Sequence, residues 1–421
     1  MKRKLFPIVL IILIDMIGFG IMIPILQLSA EERFGASNFE ATALLAAFAA
    51  AQLVAAPLMG RLSDAFGRRP VLILSQIGTF AGFLILGTAG SLFALFLGRI
   101  IDGASGGNIT TAEAYVNDVT NEEQRAKGFG MLKAAYGVGF ILGPVIGGLV
   151  ARIVSDIPAL AAYSQGAPFF LAAIFSLVSI IATYIWLPES LPAGQRQPLG
   201  QRRAKSGASL GDVLSLGSVR LILVHALLTF LAFTIFQASF VLVMARNVFP
   251  ESDLEETQLA TALIFTWAGV LLVIVQGGMV GPLVKRFGES RLMAASSLLR
   301  IPAYVGLALA YSPFLIAFWV IPLALGNGLG QPSQQSLLSR YAPATMRGQL
   351  LGILGATNSL ALVVGPLLAG LLLSINTTAP DLVAAGLAAV AFLFTIPILR
   401  LTAPSQVGQG SPVPAVSSAG D

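Results

Sequence analysis

The sequence predicts an all-α integral membrane protein, with twelve transmembrane helices in two pseudo-symmetric six-helix bundles. Three observations predict it. Hydrophobic residues make up 56% of the chain and charged residues 11%, against about 25% charged in an ordinary soluble domain. The apolar residues fall in long runs, each near the roughly 20 residues needed to cross a bilayer. Finally, the chain repeats itself at an offset of about 222 residues. Gly143-Pro144-Val-Ile-Gly147-Gly148 recurs as Gly365-Pro366-Leu-Leu-Ala369-Gly370. Gly60-Arg-Leu62-Ser-Asp64-Ala-Phe66-Gly67-Arg68 recurs, weakened, as Gly281-Pro-Leu283-Val-Lys285-Arg-Phe287-Gly288-Glu289, and Arg125 and Gly130 return as Arg347 and Gly352. Several features that keep one offset imply a duplicated unit, and duplicated membrane halves point to a transporter.

The elements follow in order. Met-Lys-Arg-Lys opens the chain, and the apolar run behind it continues past 20 residues with no small-residue cleavage site. It therefore reads as a retained first span, 5–28, that also directs insertion. Breaks at charged or Pro/Gly-rich positions then delimit helices at 41–62, 71–89, 92–116, 127–150 and 166–187, which complete a first bundle over 1–187. Residues 188–217 are rich in Pro, Gly, Gln and Arg and lack apolar periodicity, so they read as a flexible cytoplasmic linker. A second bundle over 218–401 holds helices at 218–246, 258–280, 291–311, 313–337, 347–374 and 380–401, and the Ser/Pro/Gly/Val-rich tail 402–421 reads as disordered.

Charge sets the orientation. With both termini inside, nineteen basic residues face the cytoplasm and three (Arg33, Arg152 and Arg246) face out. That asymmetry is the positive-inside pattern of a multi-pass protein in the cell's inner (plasma) membrane. The net charge of +5 is thus a topology signal in short loops and not a nucleic-acid footprint. With no cysteine and one histidine, His225, disulfides, thiol catalysis and His or thiolate metal clusters are excluded. No metal site, cofactor or ATP-binding loop is expected, nor is an enzyme, since no nucleophile–base pair is recognisable.

Several stretches carry a family resemblance. Gly60-x-Leu62-x-Asp64-x-x-Gly67-Arg68-Arg69 lies between helices 2 and 3. Its glycines permit a tight turn, Asp64 is placed to cap the next helix or meet a basic side chain, and Arg68 and Arg69 are placed to hold an anionic membrane surface. Gly137-x-Gly139-x-x-x-Gly143-Pro144-x-x-Gly147-Gly148 in helix 5 combines small residues for close helix approach with a kinking proline. These stretches resemble the best-known loop motif of the major facilitator superfamily and the motif of its antiporter branch. Gly98-Arg99-Ile-Ile-Asp102-Gly103-x-x-Gly106-Gly107 resembles that family's membrane-embedded arginine motif, and Asp15 through Pro24, Ala114 through Thr120 and Arg340 through Gly352 resemble its tetracycline-exporter-like subgroup. The resemblance implies the major facilitator fold, a charge latch that helps hold the outward-open state, action as a monomer, and proton-coupled export. One departure stands out: tetracycline exporters carry acids inside helices 3 and 9, and here neither helix interior holds Asp or Glu. Tetracycline as substrate is therefore in doubt.

Charges within the apolar runs mark function, because each is costly in lipid. Asp15 lies ten residues into helix 1, about 15 Å deep, where a carboxylate can load and release a proton. On a continuous helix 4, Arg99, Asp102 and Glu113 share one stripe, eleven residues returning to within about 20° of the same face. These four form the expected proton-coupling group. Lys133, Arg300 and His225 have no assigned role: Lys133 can snorkel or neutralise Glu113 or Asp15, and Arg300 can bind an anion or lock helix packing. Gln52, Asn108, Tyr136, Phe233, Gln237, Trp267, Asn327, Gln331 and Asn358 are the expected cavity lining. The expected activity is alternating-access efflux of a small amphipathic compound or drug against protons, with the proton gradient as energy source. An importer of sugars or organic anions, a flippase for lipid-linked substrates and a transport-dead sensor or scaffold remain open alternatives.

Overall fold

A computed structural model of the chain describes residues 2–197, 217–341 and 346–401; the expected tail, 402–421, lies outside the described residues. The described residues form helices, with no strand among them. The first half comprises α1 (Lys2–Ile21), α2 (Leu26–Phe34), α3 (Asn38–Phe66), α4 (Arg68–Gly87), α5 (Leu92–Ala104), α6 (Asn108–Val119), α7 (Glu122–Ser155) and α8 (Ala167–Trp186). The second comprises α9 (Gly217–Val243), α10 (Leu254–Ile274), α11 (Val280–Phe287), α12 (Glu289–Ala308), α13 (Pro313–Tyr341), α14 (Arg347–Ile375) and α15 (Ala379–Leu401). Five-residue π-helical turns extend α9 over Met244–Val248 and join α10 to α11 over Val275–Met279.

Two predicted helices are interrupted. Pro24 cannot donate, and the chain turns through Met22–Ile25 before α2 begins, with Ile25 N–H bonded to Met22 O at 3.1 Å. The predicted helix 92–116 is α5 plus α6, separated at Ser105–Gly107. Open backbone at membrane depth must be satisfied by other protein groups. Here Ser75 of α4 does so: its hydroxyl donates to Ser105 O and accepts from Gly107 N–H at 3.1 Å. Among the described residues, ten helical runs are long and apolar enough to cross a membrane. The remaining two predicted runs are this broken pair, in pieces of 13 and 12 residues, and α12, whose 20 residues include Glu289, Arg291 and Arg300.

The duplication is visible in the packing. In the first half α1 packs on α7 and α8, and α4 on α5 and α8; in the second, α9 packs on α14 and α15, and α12 on α13 and α15. The halves meet along two symmetry-related seams, α3 against α14 and α7 against α10. Glycines set both seams: a Cβ on Gly148 would stand 3.0 Å from Leu259 Cα, and one on Gly370 2.7 Å from Phe39 Cα. Direct polar ties between the halves concentrate at the face opposite the termini. There Arg246 bonds Glu31 at 2.8 Å and Asn38 at 2.5 Å, and Gln165 bonds Glu255 at 2.9 Å and Gln258 at 2.8 Å.

The predicted linker is anchored where it is described. Glu189 accepts from the N–H groups of Arg68 (2.8 Å) and Arg69 (3.2 Å), and Gln197 N–H donates to Asp64 O at 3.0 Å. The rest of the linker, 198–216, lies outside the described residues.

Candidate functional site

Between the halves lies a cleft with two lobes. The first-half lobe is lined by Asp15, Gln52, Arg99, Asp102 and Asn108 among others, and encloses ≈ 1400 Å³ with its mouth. The second-half lobe is lined by Phe233, Gln237, Arg300, Asn327, Gln331 and Asn358 among others, and encloses ≈ 1100 Å³ with its mouth. Phe140 and Gln237 belong to both linings, so the lobes adjoin. Seven of the nine expected lining residues are thus in place. Tyr136 and Trp267 are not among those lining either lobe. Tyr136 packs into the apolar cluster of α1, α6 and α7. Trp267 is 39% exposed and donates Nε1–H to Ala317 O at 3.1 Å.

Asp15 is buried on α1, and its Oδ2 accepts from Asn108 Nδ2 at 3.0 Å and, at the limit of contact, from Gln76 Nε2 at 3.5 Å. Gln76 also donates to Ser179 Oγ at 2.7 Å, which couples α4 and α8 to the site. No ion pair among the described residues involves Asp15. Its carboxylate is held by neutral groups alone. Sequence reading missed Gln76 and Ser179; their signal is a polar residue in the middle of an otherwise apolar helix.

Arg99 and Asp102 are both buried and pair at 2.9 Å. Arg99 also reaches Leu44 O at 3.4 Å and Met22 Sδ at 3.1 Å, and its guanidinium lies 4.1 Å from the Phe48 ring centroid. The arginine motif therefore ties α5 to α3 and to the turn that follows α1, and leaves its own charge neutralised. Glu113 departs from the expected stripe. The break at Ser105–Gly107 resets the helix, Glu113 is exposed, and the charge acting on it is Lys133 of α7. Gln52 props the same break, donating to Gly106 O at 3.3 Å. His225 is fully buried, with Gln334 Nε2 at 3.0 Å from Nδ1 and Ser297 Oγ at 2.8 Å from Nε2, a packed histidine that does not line the cleft.

The loop motif is a compact charge knot. Arg68 is buried and pairs with Asp64 at 2.7 Å and Asp118 of α6 at 2.9 Å, so α3, α4 and α6 are tied together. Three expectations change here. Arg68 points into protein and not toward lipid headgroups, and Arg69 lies over the Tyr184 ring, 5.2 Å from its centroid, while bonding Tyr184 O at 2.5 Å. The cap of α4 comes from Glu189 and not from Asp64. Gly60 lies inside α3 with open space beside it, whereas Gly67 makes the turn at φ +106° and leaves room for Glu189, whose Oε2 would be 2.5 Å from a Cβ there.

The helix 5 motif lies where α7 approaches α1 closely. α7 runs unbroken through Pro144, which puts Gly139, Gly143 and Gly147 on one face against α1. A Cβ on Gly143 would lie 2.6 Å from Gly20 Cα, and Gly139 and Gly147 abut Met16 and Ile21.

A family model, the Major Facilitator Superfamily, matches residues 8–324 and 251–418. The class C tetracycline resistance protein of Escherichia coli is 31% identical over 389 residues, 92% of this chain and 94% of that protein. Multidrug resistance protein 2 of Bacillus subtilis (strain 168) is 29% identical over 384 residues, 89% of each. The crystal structure of the human organic anion transporter MFSD10 (TETRAN) superposes with a TM-score of 0.66 at 24% identity, covering 94% of this chain and 99% of that one; at that identity the likeness shows the fold alone. Motifs, seams and family match agree: this chain is a multi-pass membrane transporter and belongs to the Major Facilitator Superfamily.

Proposed function

We propose that the chain exports a small amphipathic organic compound or drug in exchange for protons, with both termini in the cytoplasm and without a cofactor. The observation that carries this reading is Asp15: a buried carboxylate in the cleft wall, held by Asn108 and Gln76 and in no ion pair among the described residues. An ionised carboxylate offers the substrate a negative charge and acceptors only, and a proton removes the charge and turns one oxygen into a donor. This supplies the difference in affinity between states that coupling requires. Substrate binds from the cytoplasm when Asp15 is ionised. A proton arriving from outside neutralises Asp15 and releases the substrate, and the protonated carrier resets. The relatedness to tetracycline and multidrug resistance proteins supports drug efflux as the activity. The Arg99–Asp102 pair positions α3 and α5 around the site and carries no proton itself.

The test is pH-gradient-driven flux in proteoliposomes of known protein orientation, with a panel of amphipathic compounds and wild type beside Asp15→Asn. Substrate moving against the protons, with the gradient dependence lost in the variant, is the expected result. Movement in the same direction as the protons would make the protein an importer, and undiminished coupling in Asp15→Asn would remove Asp15 from the mechanism.

A further inference from the structure

The second-half lobe holds a buried cation that no carboxylate among the described residues pairs with. Arg300 on α12 is 3% exposed, and its Nη2 donates to Gly326 O at 3.0 Å. Its Nε and Nη1 are buried without a hydrogen-bond partner, and no ion pair among the described residues includes it. It is also the one charged side chain among the described residues that line this lobe. Arg99 shows the contrast: equally buried, it has Asp102, a backbone carbonyl and an aromatic face. A guanidinium left without a counter-charge in a low-dielectric wall is costly, and its fork geometry matches a carboxylate or other oxyanion. The surroundings suit the rest of such a ligand: Phe236, Phe240 and Phe265 form a tilted aromatic wall with centroids 5.2 Å apart at each step, and Gln331 and Asn327 offer neutral polar contacts.

We propose that Arg300 is an anion subsite, and that the substrates are amphipathic organic acids: an aromatic or aliphatic body bearing a carboxylate or sulfonate. The body rests on the phenylalanine wall and the acid group meets the free edge of the guanidinium. The lobes adjoin at Gln237 and Phe140, so the far end of a bound molecule reaches toward Asp15. An ionised Asp15 repels a second acid group, so that end is a hydrogen-bond donor. This inference rests on the reading of the cleft as the transport site.

The test uses purified full-length protein and a matched fluorescent pair, dansylglycine and its neutral amide. Wild type is expected to bind the acid about tenfold or more tightly than the amide, the worth of a hydrogen-bonded charge pair. Arg300→Gln loses that preference while still binding the amide, and Arg300→Lys keeps part of it. Equal binding of the two probes by wild type, or no binding of the acid, overturns the subsite without recourse to any variant. So does a preference that survives in monodisperse Arg300→Gln, because a guanidinium serving only as a strut between α12 and α13 leaves ligand choice unchanged. Proton-driven flux of the probes is recorded separately. Acid preference without flux keeps the anion subsite and overturns the claim that such acids are the substrates carried through the cleft, and flux without acid preference overturns the subsite and leaves the cleft as the transport path.

Discussion

Substituting one glycine of α7 by alanine should weaken the protein, and substituting another on the same helix should strengthen it. At Gly143 an added Cβ would lie 2.6 Å from Gly20 Cα and 2.7 Å from Ile17 O, where ordinary contact begins at 3.4 Å. Both obstacles are backbone of α1, so no side chain can rotate away. The helices must instead part by several tenths of an ångström, and overpacking of this kind costs about 1–3 kcal/mol. At Gly130 nothing lies within 4 Å of the added carbon. There alanine only restricts the unfolded chain and improves helix propensity, a gain of about 0.5–1 kcal/mol. Gly143→Ala should therefore fall below wild type and Gly130→Ala rise above it, a separation of about 1.5–4 kcal/mol. Equilibrium unfolding of the two purified variants in one detergent mixture measures it. If Gly143→Ala is as stable as Gly130→Ala, the close approach of α1 and α7 is not what the helix 5 motif provides.

Two further perturbations probe the ends of the molecule. Glu189→Ala removes the acceptor for the first two N–H groups of α4, at 2.8 and 3.2 Å. It should cost about 1–2 kcal/mol and make residues 188–197 more sensitive to protease; unchanged proteolysis would show that the clasp does not hold this segment. Arg246→Gln breaks the tie to Glu31 at 2.8 Å and to Asn38 at 2.5 Å and should favour opening at the face opposite the termini. The chain has no cysteine, so a Thr261→Cys reporter, buried near that face, can be followed with an impermeant maleimide. Labelling should accelerate in the Arg246→Gln background, and an unchanged rate would show that the tie does not gate this face.

What the sequence could disclose depended on whether a feature was periodic or contextual. The apolar runs, the repeat and the 139/143/147 spacing are periodic: all but two of the runs became unbroken helices, the repeat became a pair of symmetric halves, and the spacing became a packed face. The 100° projection that put Glu113 beside Arg99 and Asp102 is valid only along an unbroken helix. Gly103, Gly106 and Gly107 already stood in the motif as the warning, but the apolar flanks made the run look continuous. Glu189 was hidden for the opposite reason: a residue in a Pro/Gly-rich stretch reads as solvated until something to cap is folded against it. The two intramembrane arginines carry this furthest. Arg99 and Arg300 give the same signal in sequence, a guanidinium in an apolar helix. One is neutralised by a carboxylate three residues away and an aromatic ring from α3, and the other keeps two nitrogens without partners in the wall of a cleft. Sequence shows that a buried charge must be balanced. Only the packing shows which arginine is balanced by the protein itself and which awaits a partner from outside.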